Sequence, residues 1–266
     1  MPRLGQDLDR TGRLHPDAIA RTLAAIDRQI ARAKSLHADQ IIAVGTESLR
    51  AAENSEEFLS ALRKTGVELR VISGDDEARL SFRSVVESLP MPSSGRRSVI
   101  DIGGGSTELI VGGKTPERWA SVKMGSVRLH ERFVRSDPPT EAETKALTEA
   151  IETELAKLPS VEGELVALAG TATTVAALHL GLREYDGRKV DGMRIATTTM
   201  REIITNLGRL TVAERCQLAG LDVRRADVIY AGAMILLLCA ERAGLSDVVV
   251  SDRGVRWGVL EELADG

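Results

Sequence analysis

Residues 98–113, SVIDIGGGSTELIVGG, constrain the chain more than any other segment. An apolar run ends on Asp101, three glycines follow at once, and Ser106, Thr107 and Glu108 lead into a second apolar run. Short β-branched runs on both sides of a glycine turn predict two strands. A hairpin needs only one or two glycines. Three in a row leave the amides of Gly103, Gly104 and Gly105 open to an anion, with no side chain in the way. Ser106 and Thr107 add hydroxyl donors. Asp101 and Glu108 cannot bind phosphate, since like charges repel, but they suit Mg²⁺ or its water shell, which bridges to phosphate. The plain alternative is a glycine-rich hairpin with charged flanks, although a buried strand seldom ends on an unpaired acid. A Rossmann turn is excluded because strand, not helix, follows the glycines.

Around this hairpin the chain reads as α/β. Residues 16–36 carry Ile19, Leu23, Ile26 and Ile30 at helical spacing behind Pro16. IIAVG (41–45) reads as a buried strand, Asn54 with Glu57 as a capping box for a helix over 55–65, and VELRVI (67–72) as the next strand. This rhythm predicts a mostly parallel sheet. SGDDEARLSFRSVVESL (73–89) turns and becomes a helix, and ERWASVKMGSVRL (117–129) supplies a third strand and a turn, so the middle of the chain reads as a meander. Thr140 with Glu143 caps a helix whose face is Leu147, Ile151 and Leu155, and Thr211 with Glu214 caps a short one. ELVALAG (164–170) is a buried strand running into GTATT and a helix, and residues 199–208 are helical. Residues 227–244 form an apolar helix, 247–252 a last strand and 253–264 a closing helix.

Three further segments sit where a strand meets a helix, the usual place for ligand contacts in such sheets. Gly170-Thr171 opens the GTATT turn, a weaker phosphate loop that alone is hardly distinct from ordinary punctuation. Asp75, Asp76 and Glu77 either favour a helix N-terminus or supply one carboxylate as general base toward water. Arg50, in GTESLR, is a candidate cation for an anionic substrate or a solvated surface residue.

Composition narrows the field. Lys plus Arg number 35 against 39 Asp plus Glu, a net charge of −4, and aromatics are 3% of the chain. Neither a basic field nor a stacking surface for a nucleic-acid polymer is available. The four histidines share no metal spacing, and Cys216 and Cys239 match no zinc or redox motif. Cys239 lies in an apolar run and reads as a buried thiol of a cytoplasmic protein without disulfides. The longest apolar run, Val228 to Ala240, is far short of the ~20 residues that span a bilayer, and no apolar leader opens the chain.

In order, RLGQDLDRTGRLHPDAIARTL, VGTESLR, VISGDDEARLSF, VIDIGGGSTELIVG, KMGSVRL, SDPPT, LAGTATTVAAL, DVIYAGAMIL and VSDRGVRWGVL resemble the exopolyphosphatase and guanosine pentaphosphate phosphatase family of the actin-like ATPase superfamily. SGxxEARL followed by IDIGGGSTE is the specific combination; GTATT is not. The resemblance implies two ribonuclease-H-like domains with a cleft between them. The first would cover 1–73, with 253–266 packing back on it, and the second 74–252. It implies that Glu77 positions the attacking water, with Asp75 and Asp76 as second choices, and that Asp101 and Glu108 hold Mg²⁺; oxygen ligands leave Mn²⁺ as the alternative. Gly103, Gly104, Gly105 and Ser106 match the family's phosphate loop, Arg50 its substrate-contacting arginine, and Gly170 and Thr171 the loop on the other side of the cleft. The implied activity is release of terminal orthophosphate from inorganic polyphosphate. The 5′-phosphate of guanosine pentaphosphate is the alternative substrate, and homodimers are expected. Family members open with a strand and a D-x-G-[ST]-N-[ST] loop ahead of RLGxxL, where this sequence starts. That loop and the first two strands of the first domain are therefore expected to be missing, through a start codon placed too late, truncation or a degenerate form. A phosphate-binding remnant without turnover is the non-catalytic alternative. A sugar or acetate kinase would share the glycine loop but fits SGDDEARL poorly.

Overall fold

The computed structural model describes residues 2–265 and divides into two compact units between Asp76 and Glu77. The first contains α1 (Leu8–Thr11), α2 (Pro16–Ser35), β1 (Ile42–Gly45), α3 (Glu47–Ala51), α4 (Ser55–Arg63) and β2 (Glu68–Val71). β1 and β2 pair in parallel, from Ile42 opposite Glu68 to Gly45 opposite Val71. Parallel partners need a crossover, which α3 and α4 supply. Pro16 takes the first position of α2, where its missing N–H costs nothing. Ile19, Leu23 and Ile26 then pack against a small core of Leu8, Leu14, Leu49, Ala52, Phe58 and Leu62.

The expected capping box at α4 is absent. Asn54 does precede the helix, but its side chain makes no cap bond there. Its Oδ1 accepts from the Leu14 N–H at 2.7 Å, and its Nδ2 donates to the Leu14 carbonyl at 3.2 Å and to Glu57 at 3.1 Å. A buried amide satisfied by the backbone of a distant segment outweighs a local cap, because leaving Leu14 unpaired in the core costs more.

The second unit begins within α5 (Gly74–Val86) and continues through β3 (Arg97–Ile102), β4 (Thr107–Gly112) and β5 (Pro116–Val122). Then follow α6 (Ser126–Phe133), α7 (Glu141–Leu155), β6 (Glu164–Leu168), α8 (Ala169–Leu180), α9 (Gly187–Val190), β7 (Met193–Ala196), α10 (Thr197–Arg209) and α11 (Val212–Arg215). α12 (Ile229–Arg242), β8 (Asp247–Val250) and α13 (Val255–Asp265) close the chain. Its six-stranded sheet runs β5-β4-β3-β6-β8-β7. β3, β4 and β5 form the expected antiparallel meander; β3, β6 and β8 are parallel; β7 adds an antiparallel edge.

Alternation along the strands sends side chains to two cores. Ile100, Ile102, Leu109, Leu165 and Ala167 face the larger one, under α7, α8, α10 and α12. Val99, Ile110, Val166, Leu168 and Val249 face Ala78, Phe82 and Val85 of α5. α12 is buried on nearly all sides, which explains its continuous apolar sequence. Among the described residues no helix is long and apolar enough to cross a membrane. Cys239 is buried in the larger core, and its thiol is pushed up to about 12 by burial. α13 is tied to α5 by Arg79–Glu262 at 2.9 Å and by Arg83 pairing with Asp265.

Several elements are absent from the sequence reading, among them α1, α9, α6 and β7. KMGSVRL was expected to end in a turn, yet Ser126 starts α6, and MRIA forms β7. α6 is one side of the glycine hairpin's support, described below. At α7 the expected capping box is complete: Thr140 Oγ1 accepts from the Glu143 N–H at 3.2 Å, and Glu143 accepts from the Thr140 N–H at 2.8 Å. The backbone bonds from Thr140 and Arg135 hold the Glu143 carboxyl down at about 2. Thr140→Ala is expected to destabilise the protein by about 1 kcal/mol in urea unfolding, without changing any activity.

Candidate active site

The glycine hairpin places two acids side by side. Asp101 on β3 is the cross-strand partner of Glu108 on β4, and both lie on the face that α5 covers. α5 brings Glu77 and Ser81, one turn apart and therefore on the same side of the helix. Ser81 Oγ donates to Asp101 Oδ2 at 3.3 Å. Glu108 is 3% exposed, and its Oε1 accepts from Ser121 Oγ at 2.6 Å. Ser121 is the β5 residue opposite Glu108, so the meander itself supplies this partner. Asp101 keeps an accessible edge. Burial, then repulsion from Glu108 and Glu77, pushes its carboxyl up to about 7, against a weaker downward pull from Ser81. An acid in this state takes up positive charge readily.

The three acids of SGDDE separate in the structure. Asp75 is exposed. Asp76 accepts from Ser73 Oγ at 2.8 Å, while its N–H donates to the same hydroxyl at 3.0 Å, a reciprocal cap of the α5 N-terminus. Glu77 alone is buried, at 9% exposure, and lies close enough to Asp101 to repel it. Asp76 thus fills the helix-start role, and Glu77 is the acid that α5 brings to Asp101.

The hairpin turn is fixed by α6. The carbonyl of Gly103 accepts from the Ser126 N–H at 3.0 Å, and that of Gly104 from Val127 and Arg128 at 3.0 and 3.1 Å. These are the N–H groups a helix start leaves unpaired. Gly103 N–H in turn donates to the Ser106 carbonyl at 3.0 Å. Neither Gly103 nor Gly104 has a left-handed backbone, so their glycines answer a need for space. A methyl group at Gly125 would sit 2.4 Å from the Gly104 carbonyl carbon, so the two glycine turns pack backbone to backbone. Ser106 is buried at the base of the loop, and Gly104 is exposed at its tip. Thr107 is buried and donates to the Met124 carbonyl.

The GTATT segment is the first turn of α8. Thr171 is 2% exposed and donates to the Ile102 carbonyl at 3.4 Å, which ties α8 to the end of β3. Gly170 is covered by Arg225: a methyl group there would meet the guanidinium at 2.0 Å. Behind this contact lies a cavity of about 560 Å³ lined by Arg183, Arg224, Arg225, Arg256, Tyr185 and Asp252, among others. Tyr185 donates to Asp252, and burial raises its phenol. The sequence reading missed these arginines, because they come from three separate segments and form no local motif. Ser81, by contrast, stands four residues after Glu77, and that spacing could have marked it. Arg50 lies in α3 of the first unit, exposed, with its Nη1 donating to the Ile72 carbonyl at 2.7 Å.

Among the described residues no three His, Cys, Asp or Glu side chains converge to hold a metal by themselves. Asp101 and Glu108 are nevertheless a fitting pair for a hard divalent cation, which retains several waters and shares phosphate oxygens when bound by one or two carboxylates. They are cross-strand partners on one face of the sheet, which sets their carboxylates side by side as such a cation requires.

Comparison with known proteins places the chain as a whole. The chain is 35% identical over 278 residues to exopolyphosphatase 2 of Mycobacterium tuberculosis, covering 98% of this chain and 86% of that one. It is 28% identical to the guanosine-5′-triphosphate,3′-diphosphate pyrophosphatase of Vibrio atlanticus, covering 99% of this chain and 52% of that protein. The crystal structure of the Aquifex aeolicus member of the Ppx/GppA family superposes with a TM-score of 0.82 at 35% identity, covering 100% of this chain and 88% of that one. The model of the Ppx/GppA phosphatase family matches residues 2–265, so the chain belongs to that family and has its actin-like ATPase fold.

Proposed function

We propose that the protein hydrolyses the terminal phosphoanhydride of inorganic polyphosphate and releases orthophosphate. The observation that carries this reading is the buried Glu77 beside the Asp101–Glu108 pair, at the root of an open glycine hairpin. Glu77 orients a water and takes its proton. The water oxygen bonds to the terminal phosphorus, the bridging P–O bond breaks, and the shortened chain leaves with the electron pair. Asp101 and Glu108 would hold Mg²⁺, which when bound neutralises charge on the phosphoryl oxygens. The hairpin amides at Gly104 and Gly105 stabilise the charge that gathers on the terminal phosphate. Ser81 and Ser121 keep the two acids oriented. The test is orthophosphate release from polyphosphate by purified protein, with Mg²⁺, with Mn²⁺ and with chelator. Turnover that needs a divalent cation is expected; substrate binding by calorimetry with no release under any condition would leave a binding module.

The arginine-lined cavity favours a second reading, the 5′-phosphate of guanosine pentaphosphate. Its volume falls within the few hundred to one thousand Å³ of small-ligand pockets, and arginines match the extra phosphates of such a nucleotide. Arg183→Ala and Arg256→Ala, tested on both substrates, separate the readings. A loss of about tenfold or more confined to the nucleotide would make it the preferred substrate; equal rates on it would remove the cavity from its recognition.

A further inference from the structure

We infer that Gly258 and the ion pairs of α13 set the position of α5 over the sheet, which makes Gly258 a positioning residue for Glu77. This rests on the hydrolytic reading above. α5 is held between two surfaces. On one side Ala78, Phe82 and Val85 meet Val99, Ile110, Val166, Leu168 and Val249. On the other, Gly258 touches the α5 backbone: a methyl group there would stand 2.2 Å from the Leu80 carbonyl oxygen and 2.9 Å from the Leu80 Cα. The neighbour is backbone within a helix, so no side chain can swing away to make room. Either the α5 axis or the α13 axis must shift by roughly 1 Å to restore van der Waals distance.

Leu80 lies between Glu77 and Ser81 in sequence, so a displacement at Leu80 moves both. Ser81 reaches Asp101 at 3.3 Å, already at the long end of a hydrogen bond, and a further ångström breaks it. The same ångström misaligns Glu77 toward its water, where an error of that size costs turnover far more than binding.

Ion pairs fix α13 along α5. Arg79 meets Glu262 at 2.9 Å, and Arg83 pairs with Asp265, lies 3.9 Å from Glu261 and donates to the Glu261 carbonyl at 3.4 Å. Glu261 also faces Arg253 at 3.8 Å, and Arg253 faces Asp191 at 3.9 Å, which extends the network to the end of β8. Burial, then repulsion from Glu87, raises the Glu261 carboxyl, against the attraction of Arg83 and Arg253.

The experiment compares Gly258→Ala with Ile204→Ala, a cut in the larger core on the opposite face of the sheet, and with Glu77→Gln. All are assayed for phosphate release well below their unfolding midpoints. Gly258→Ala is expected to lower kcat at least about tenfold with KM within about twofold, while Ile204→Ala loses stability but keeps kcat. Arg83→Met is expected to lower kcat in the same sense, by about threefold, and stands in if Gly258→Ala does not fold. A folded Gly258→Ala with unchanged kcat overturns the inference, as does an equal loss of kcat in Ile204→Ala, or an unchanged Arg83→Met where it is the stand-in. If Glu77→Gln keeps full turnover, the hydrolytic reading fails and takes the positioning role with it. If Glu77→Gln is inactive and Gly258→Ala is not impaired, only the positioning role fails.

Discussion

Glu77→Gln is expected to lower kcat for orthophosphate release by about 10³-fold while leaving KM within a small factor of the parent value. Glutamine keeps the shape of the side chain, so packing around α5 survives, but its amide cannot take a proton from water. Removing the negative charge also relieves one of the repulsions that raise Asp101. The variant should therefore unfold no more easily than the parent above pH 7, and a protein that lost activity by misfolding would show the reverse. Asp75 and Asp76 serve as internal controls. Asp75 is exposed, and Asp76 is engaged in the reciprocal bond with Ser73, so Asp75→Asn and Asp76→Asn should each retain turnover within about threefold. A loss at Asp75 equal to that at Glu77 would move the general base and sink this assignment.

Part of this site is legible in the sequence. Among Asp75, Asp76 and Glu77 only the family resemblance singles out Glu77, but the hairpin is legible from local chemistry: a strand ending on an acid and a turn of three glycines. Such features act within a few residues and so leave a trace in the sequence. The strands and helices with strong periodicity, such as α2 and α7, were legible for the same reason. What escaped was set by tertiary contact. Asn54 sits where a cap belongs, yet Leu14, forty residues earlier, takes its amide. α6 was missed because it owes its start to carbonyls of the Gly103–Gly104 turn, a contact invisible along the chain. β7 was missed because it is a four-residue edge strand held only by β8. The arginine cavity is built from residues spread between Arg183 and Arg256, so only the fold could assemble it.

Asp101→Asn should trade activity for stability, in a way that pH exposes. The ordinary carboxyl value is 3.8, and in the metal-free folded protein this one is raised to about 7. Below pH 4 both folded and unfolded chains hold the proton, and Asp101 adds no penalty. Between pH 4 and 7 the unfolded chain releases it first, so the folded state binds more protons and stability falls as pH rises. Above pH 7 the carboxylate is ionised in both states and the full cost of burying it beside Glu108 and Glu77 is present. With solvent screening at its accessible edge allowed for, that cost is on the order of 3 kcal/mol. Urea unfolding of parent and Asp101→Asn across pH 4 to 8 should therefore give curves that coincide at the acid end and separate toward pH 7, with the variant more stable. Mg²⁺ should close the gap by stabilising the parent and not the variant, since a ligand of the folded state alone raises its stability by mass action. In the same preparations phosphate release by Asp101→Asn should be lost. A variant less stable than its parent at pH 8 would mean that Asp101 is a satisfied structural acid, and the strain at the root of the hairpin would need another purpose than cation binding.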